Sequence, residues 1–321
     1  MQKQIAFVVQ GGNAKFLDPV FTWAEDRFGG FSRLDWRGEA DREALGRALE
    51  QADLTWVEWV QDAAIAASLL PRKGRLVLRL HSFEAYTSLP ALVDWERVDA
   101  LMVVAPHVTE ILKLGTPDLP GLVRVAVVPN GVDLARYTLR KNPARTGRIA
   151  FVGALRHTKN LPLVLQCFAR AAARDAALTL HLAGQYEGGE LEQTELAVYL
   201  HHLVRQLGLA ERVVFHGQVA DIPAFLEDKD ALISCSMRES FGYNIAEAMA
   251  RGVAPVIHHF PGAAALFPRE RIFHTVDEAA GLLLGPAPDP RALRSFIGTR
   301  HSLGHQIAAL DDLVATLLPG G

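Results

Sequence analysis

Cysteine is scarce, with only Cys167 and Cys235 among 321 residues. Two thiols so far apart in the chain, each in apolar surroundings, exclude a disulfide framework and suit reduced core residues of a cytoplasmic protein. Long apolar runs are missing too: none approaches the ~20 residues that a spanning helix needs. The start, Met1-Gln2-Lys3-Gln4, leads into a short strand pattern without the apolar stretch of a signal peptide. The expectation is a protein neither secreted by that route nor integral to a membrane. Neither charge is in excess, since 33 basic and 36 acidic residues give a formal net charge of −3. No global field therefore attracts nucleic acid, which is not expected as a partner, and any membrane contact is peripheral and local.

What is present is apolar residue in quantity, 50% of the chain against 21% charged, the composition of a soluble globular protein with sizeable cores. A chain of this length exceeds the ~250 to 300 residues at which one core stops growing, so two domains are expected. Short β-rich runs alternate with helical stretches, the pattern of a parallel sheet covered by helices, and the fold class is α/β. The first half carries strands at Ile5 to Val9, Phe31 to Trp36, Leu54 to Val60, Leu76 to Leu80, Ala100 to Val104 and Val123 to Val128. Its clearest helix starts near Glu39, with Ala44, Leu45, Ala48, Leu49 and Ala52 on one stripe. The polar stretch Asp133 to Gly147 has no period and reads as a linker, with residues 1–138 as the first domain and 139–321 as the second. The alternation restarts with strands at Ile149 to Gly153, Leu178 to Ala183, Val213 to Phe215, Ala231 to Ser234 and Val253 to Ile257. Helices are expected at Leu161 to Arg174, Thr194 to Leu207, Ile222 to Leu226 and Phe241 to Arg251. A second doubly wound domain is the economical reading. The final stretch, Pro290 to Leu318, reads as helical and can pack back on the first domain.

Ligands of such sheets bind at the carboxyl ends of the strands, so the strand-to-helix turns carry the chemistry. The richest runs from Ser234 to Gly252. In it Ser240 is a suitable N-cap, Gly242 permits close backbone approach, Ile245 and Met249 share a buried face, and Gly252 can close the helix in a left-handed conformation. Free amides and a positive dipole end then favour a phosphate. Glu239 precedes the helix and Glu247 lies about five residues inside it from Gly242, or ~7.5 Å along the axis. Two carboxylates beside an anion site make sense when they bind neutral hydroxyls, which points to sugar or ribose rings flanking a phosphate. A second turn, Gly153 to Asn160, brings Arg156 and Lys159, a guanidinium and an ammonium suited to a diphosphate. Each element alone also reads as ordinary solvated surface. Together they define a site.

The acidic segment Glu239 to Gly252, followed by Pro255-Val256-Ile257 and Pro261-Gly262-Ala263, resembles the signature of the retaining, nucleotide-sugar-dependent glycosyltransferases of family 4. The Gly153 to Asn160 turn resembles that family's basic diphosphate loop, and Pro129-Asn130-Gly131-Val132-Asp133 its interdomain motif. Phe215-His216-Gly217 resembles the strand before its base-binding loop, and Gly11-Gly12-Asn13 its glycine-containing turn. The last lacks the third glycine of a dinucleotide fingerprint and is not read as an NAD site.

The resemblance implies a GT-B fold, two doubly wound Rossmann-like domains facing across a cleft, acceptor bound by the first and donor by the second. It implies that Glu239 holds donor-sugar hydroxyls and Glu247 the ribose. Amides near Phe241 and Gly242 would touch the sugar, and Lys159 would neutralise the leaving diphosphate. The family often has an arginine directly after the loop glycine, where this chain has Ala154, so that task falls to Arg156. His81, after the strand Leu76 to Leu80, corresponds to a histidine facing the transferred sugar, and it reads equally as a histidine satisfied within its loop. The implied site thus has Lys159, Arg156, Glu239 and His81 at the chemistry, with Gly153, Ser240, Phe241, Gly242, Glu247, Gly217, Gly12 and Asn130 around the donor. No cofactor is implied beyond the nucleotide sugar as substrate. The pairs His201-His202 and His258-His259 are a poor geometry for a metal, and none is expected. The reaction expected is displacement of UDP or GDP at the anomeric carbon, with retained configuration, by a hydroxyl of a carbohydrate, lipid-linked or small-molecule acceptor. An epimerase or phosphorylase of the same architecture, and a non-catalytic nucleotide-sugar-binding subunit, remain as alternatives.

Overall fold

The computed structural model describes residues 3–14, 16–141 and 145–319, with the side chain of Pro120 left aside. Two compact units make up the chain: one runs to Gly131 and takes in the residues from Leu303 onward, the other is Val132–Ser302. The first holds strands β1 (Ile5–Gln10), β2 (Ser32–Trp36), β3 (Leu54–Glu58), β4 (Arg75–Leu80), β5 (Ala100–Val103) and β6 (Val125–Val127). Helices α1 (Asp18–Phe28), α2 (Arg42–Gln51), α3 (Asp62–Leu69), α4 (Pro106–Gly115) and α5 (Leu119–Leu122) connect them. All pairings are parallel, in the order β2-β1-β3-β4-β5-β6. Runs such as Leu76, Val77 and Leu78 are buried on both faces, which is why parallel strands read as continuous apolar segments rather than as alternation.

In the second unit β7 (Arg148–Val152), β8 (Thr179–Ala183), β9 (Val213–Gly217), β10 (Ala231–Ser234), β11 (Ala254–His258) and β12 (Ile272–Phe273) form a second parallel sheet. Its helices are α6 (Leu161–Ala172), α7 (Glu190–Gln206), α8 (Ile222–Leu226), α9 (Tyr243–Ala250), α10 (Ala263–Leu266), α11 (Val276–Leu284) and α12 (Pro290–Arg300). The order β12-β11-β10-β7-β8-β9 is that of a doubly wound dinucleotide fold, with the strand sequence reversing between β7 and β10. Cys167 and Cys235 are both buried free thiols in this unit's core. Burial pushes the Cys235 thiol up, and its hydrogen bond with Cys167 adds to that. Residues 68 positions apart in sequence are thus neighbours in space.

The final stretch is two helices rather than one. The first, α12, is capped at His301, whose amide donates to Ile297 O at 2.7 Å, and α13 (Leu303–Leu317) belongs to the first unit. There Leu310, Leu313, Val314 and Leu317 pack with Ile5, Phe7, Val9 and Trp23.

The boundary between units also differs from the expected one. The stretch read as a linker is sewn into the second unit: Arg294 donates to the carbonyls of Leu134 (2.8 Å) and Tyr137. Arg140 donates to that of Gly252 (3.0 Å), and the Thr146 amide to Asp230 (3.0 Å). Backbone polar groups without a period of their own are satisfied here by long arginines and by Asp230. Asn142 and Pro143 of that stretch lie outside the described residues.

Candidate active site

The two segments singled out in the sequence leave the second sheet from adjacent strands. The β7 turn carries Lys159 and the β10 turn carries Glu239, at the point where strand order reverses. A crevice opens at such a point because the following helices go to opposite faces of the sheet. Lys159 Nζ donates to Glu239 Oε1, with each side chain only 12% exposed. Ser236 Oγ donates to the same oxygen at 2.7 Å. Two further bonds lock the turns to one another: the Met237 amide to Thr158 O (2.9 Å), and Asn244 Nδ2 to Val152 O (2.9 Å).

Glycine makes this crossing possible. Gly184, after β8, has φ +153°, and a Cβ there would lie 1.8 Å from Gly153 O. The β7 and β8 ends pass so closely that no other residue fits. Asn160 takes a left-handed conformation, φ 50°, which asparagine tolerates better than most residues, and it turns the chain from Lys159 into α6.

The acidic helix starts two residues later than expected. Its N-cap is Gly242 at φ 90°, not Ser240, because a tight approach to Phe267 and Ile245 leaves no room for a Cβ without a shift of neighbours. Gly252 closes the helix at φ 75°, as read, and Ile245 and Met249 are fully buried. Glu247 is partly buried. Burial raises its carboxyl to about 7, against the opposing effects of the Tyr137 hydroxyl bonded to it and of Arg136. Burial, and then Glu247, push the Tyr137 phenol up.

Not every expected residue joins this cluster. Arg156 lies 3.6 Å from Glu187, both about half exposed, and pairs there rather than with Glu239. An extended backbone at Arg156, φ −145°, carries its side chain toward the segment after β8, where Leu155 pairs with Tyr186. The Phe241 ring is 1% exposed and packs edge-on against Tyr243 and His301, so only its backbone is available to a ligand. Gly217 ends β9 at φ 66° with open space where a Cβ would sit. Tyr137, Ser236 and Thr158 contribute to the site without a signal in the sequence, because what recruits them is contact across the sheet end.

The remaining three residues are in the first unit. Gly12, φ 68°, follows β1 and abuts Asp35. His81 follows β4 and is 3% exposed. Asn130 is 2% exposed, and its side-chain oxygen accepts from buried Arg79, so it braces the interior instead of presenting an amide to a donor. Among the described residues no group of three His, Cys, Asp or Glu side chains could hold a metal ion, and no helix is long and apolar enough to cross a membrane.

Two six-stranded parallel sheets of this kind, each flanked by helices, make the GT-B fold. HepE of Anabaena, solved with UDP and glucose, has a TM-score of 0.79 over 98% of this chain and 100% of its own, at 17% identity. A glycosyltransferase of Rickettsia africae has a TM-score of 0.73 over the whole of both chains, at 12% identity. In sequence, residues 140–283 match the family described as glycosyl transferases group 1. Mannosylfructose-phosphate synthase of Agrobacterium fabrum is 31% identical over 128 residues, 39% of this chain and 28% of that protein. Glycogen synthase of Mycobacterium tuberculosis is 30% identical over 145 residues, 44% of this chain and 34% of that protein. The chain spans about a third of the length of these curated relatives.

Proposed function

We propose that this chain is a retaining glycosyltransferase of family 4 that moves a sugar from a UDP- or GDP-sugar to a hydroxyl acceptor. The observation that carries the reading is the meeting of Lys159 and Glu239 at the switch point of the second sheet. In this reading the diphosphate takes the Lys159 ammonium and the amides that open α9, and Glu239 accepts from donor-sugar hydroxyls. Glu247, with Tyr137 behind it, receives the ribose diol. Charge that develops on the leaving diphosphate meets donors already in position, which is electrostatic catalysis without reorganisation. Arg156 joins them only by leaving Glu187, and the reading gives His81 a hydroxyl of the transferred sugar. The reading assigns the neutralising charge to protein groups and so calls for no metal. HepE bound to UDP and glucose supports a nucleotide-sugar donor. A GDP-mannose:cellobiosyl-diphosphopolyprenol α-mannosyltransferase of Xanthomonas campestris, 25% identical over 186 residues, supports a carbohydrate or lipid-linked acceptor. The buried reduced thiols support a cytoplasmic setting, with peripheral membrane contact when the acceptor is lipid-linked.

The test is a thermal-shift panel of nucleoside diphosphates, followed by turnover of the matching nucleotide sugars in the presence of EDTA. Stabilisation by UDP or GDP with transfer to an acceptor is expected. Binding with no turnover would favour the non-catalytic subunit, and turnover without an acceptor an epimerase.

A further inference from the structure

The first unit holds a buried polar cluster that its core does not require. Glu58, Arg79, His81, Glu84 and Asn130 are each at most 3% exposed and sit where β3 and β4 end. Glu58 Oε2 accepts from Trp56 Nε1 at 2.8 Å, while Oε1 lies 2.8 Å from His81 Nε2 and 3.5 Å from Arg79 Nη1. The carboxyl oxygens of Glu84, an acid that burial pushes up to about 8, accept from the amides of Val60 (3.0 Å) and His81 (3.1 Å), fixing both turns. Between them Trp59 adopts φ 75°, a genuine outlier for a bulky residue and a mark of strain kept for function. Its ring stacks on the His81 ring with centroids 3.9 Å apart, and its indole N–H donates to Asn13 O at 2.9 Å. The same strain explains why β3 stops at Glu58 and not at Val60 as read from the sequence.

The protonation states follow from this packing. Burial pushes the Glu58 carboxyl up, but Arg79 and then His81 outweigh it and hold Glu58 ionised. Burial pushes the His81 imidazole down; Glu58 opposes this and Arg79 adds to it, and the ring is neutral. A carboxylate can only accept, so Nε2 must carry the hydrogen it shares with Glu58, and Nδ1 keeps its lone pair.

We propose that Glu58 is a positioning residue: it locks His81 as the Nε2–H tautomer against the Trp59 ring, so that Nδ1 accepts a hydrogen bond from a sugar hydroxyl of the substrate. This rests on the reading of His81 as part of the transferase site. It makes the site selective for hydroxyl-bearing sugars over analogues deoxygenated at that carbon.

The experiment reads the tautomer directly, from long-range proton–nitrogen correlation spectra of 15N-histidine-labelled protein at pH 7, with His81→Gln used for assignment. A neutral Nε2–H ring is expected in the unaltered protein. Glu58→Gln, which can offer an amide N–H to the ring, is expected to mix the tautomers. It should lower kcat by at least tenfold while leaving nucleoside diphosphate affinity, a property of the other unit, within twofold. An Nδ1–H ring or an imidazolium in the unaltered protein overturns the inference, a measurement that needs no variant to fold. Full turnover by Glu58→Gln overturns it as well. Absence of sugar transfer from any nucleotide sugar sinks the proposed function instead, and leaves the tautomer assignment to be judged by its own spectrum.

Discussion

Replacing Glu239 with glutamine separates the two halves of the proposed donor site. Lys159 and Glu239 pair at 12% exposure each, so a diphosphate arriving at Lys159 competes with a carboxylate already there. At an effective dielectric constant of about 20, unit charges 4 Å apart interact by roughly 4 kcal/mol. Solvent screening reduces this toward the ~1.5 to 3 kcal/mol net of a hydrogen bond to a charged group. Glu239→Gln keeps the shape and the Ser236 contact but removes the charge. A free nucleoside diphosphate is then expected to bind about 10- to 100-fold more tightly, since ~1.4 kcal/mol is tenfold. Turnover of the nucleotide sugar is expected to fall about 100- to 1000-fold, the usual cost of losing one preorganised polar contact in a transition state. Lys159→Ala moves the other way, with weaker diphosphate binding and a similar loss of turnover. Its melting temperature should fall only by about 2 to 8 °C, from the roughly 1 to 2 kcal/mol of an under-satisfied carboxylate in a domain of this size. Isothermal titration with UDP and GDP at about 0.15 M salt, beside steady-state kinetics, reads both arms at an ionic strength where surface charge is screened. If Glu239→Gln leaves diphosphate affinity unchanged or weaker, Lys159 is not the cation that the diphosphate takes.

Three further expectations concern other parts of the molecule. The Glu247 carboxyl titrates at about 7, and only its ionised form accepts from both ribose hydroxyls. Nucleoside diphosphate affinity should therefore rise about tenfold from pH 6 to pH 8, relative to a Glu247→Gln control that lacks this titration. Parallel curves for the two proteins would contradict the ribose assignment. The same raised value has the opposite sign for folding: the buried acid favours its protonated form, so its contribution to stability is full below the ordinary carboxylate value of 4.5 and is lost as pH rises through about 7. Gly184→Ala, which drives a Cβ into Gly153 O, should cost at least ~3 kcal/mol of unfolding free energy in denaturant titrations. Gly217→Ala, with open space at its Cβ, should cost only about 1 kcal/mol; equal costs would show that the close strand crossing is not rigid. Leu310→Ala in α13, whose side chain is 1% exposed, should cost about 2 to 5 kcal/mol and speed hydrogen exchange of the β1 amides. Unaltered exchange in β1 would mean that the C-terminal helix does not support the first unit.

Among the described residues, eleven of the twelve strands lie within two residues of where the apolar runs place them. The exception is Ile272–Phe273, two residues that pair with Ile257 and His258 at the sheet edge, too short for any period to register. Boundaries moved at Trp59 for β3 and at Gly242 for α9, where a backbone conformation intervened, and α7 starts at Glu190, four residues before the expected Thr194. The linker reading failed because a stretch without a period can still be ordered by side chains that come from elsewhere, here Arg251 and Arg294, and by its own Arg140 reaching out to Gly252.

Local composition and spacing were enough to specify the α/β class, two sheets, and the basic and acidic turns, since parallel strands buried on both faces and glycine-bearing turns leave their mark in consecutive residues. That Lys159 and Glu239 meet, that Arg156 turns aside to Glu187, and that Glu58 reaches His81 depended on which strands lie next to each other. Strand order is settled by how the helices cover the sheet, a property of the whole fold, and it decides which residues dozens of positions apart come to share one hydrogen bond.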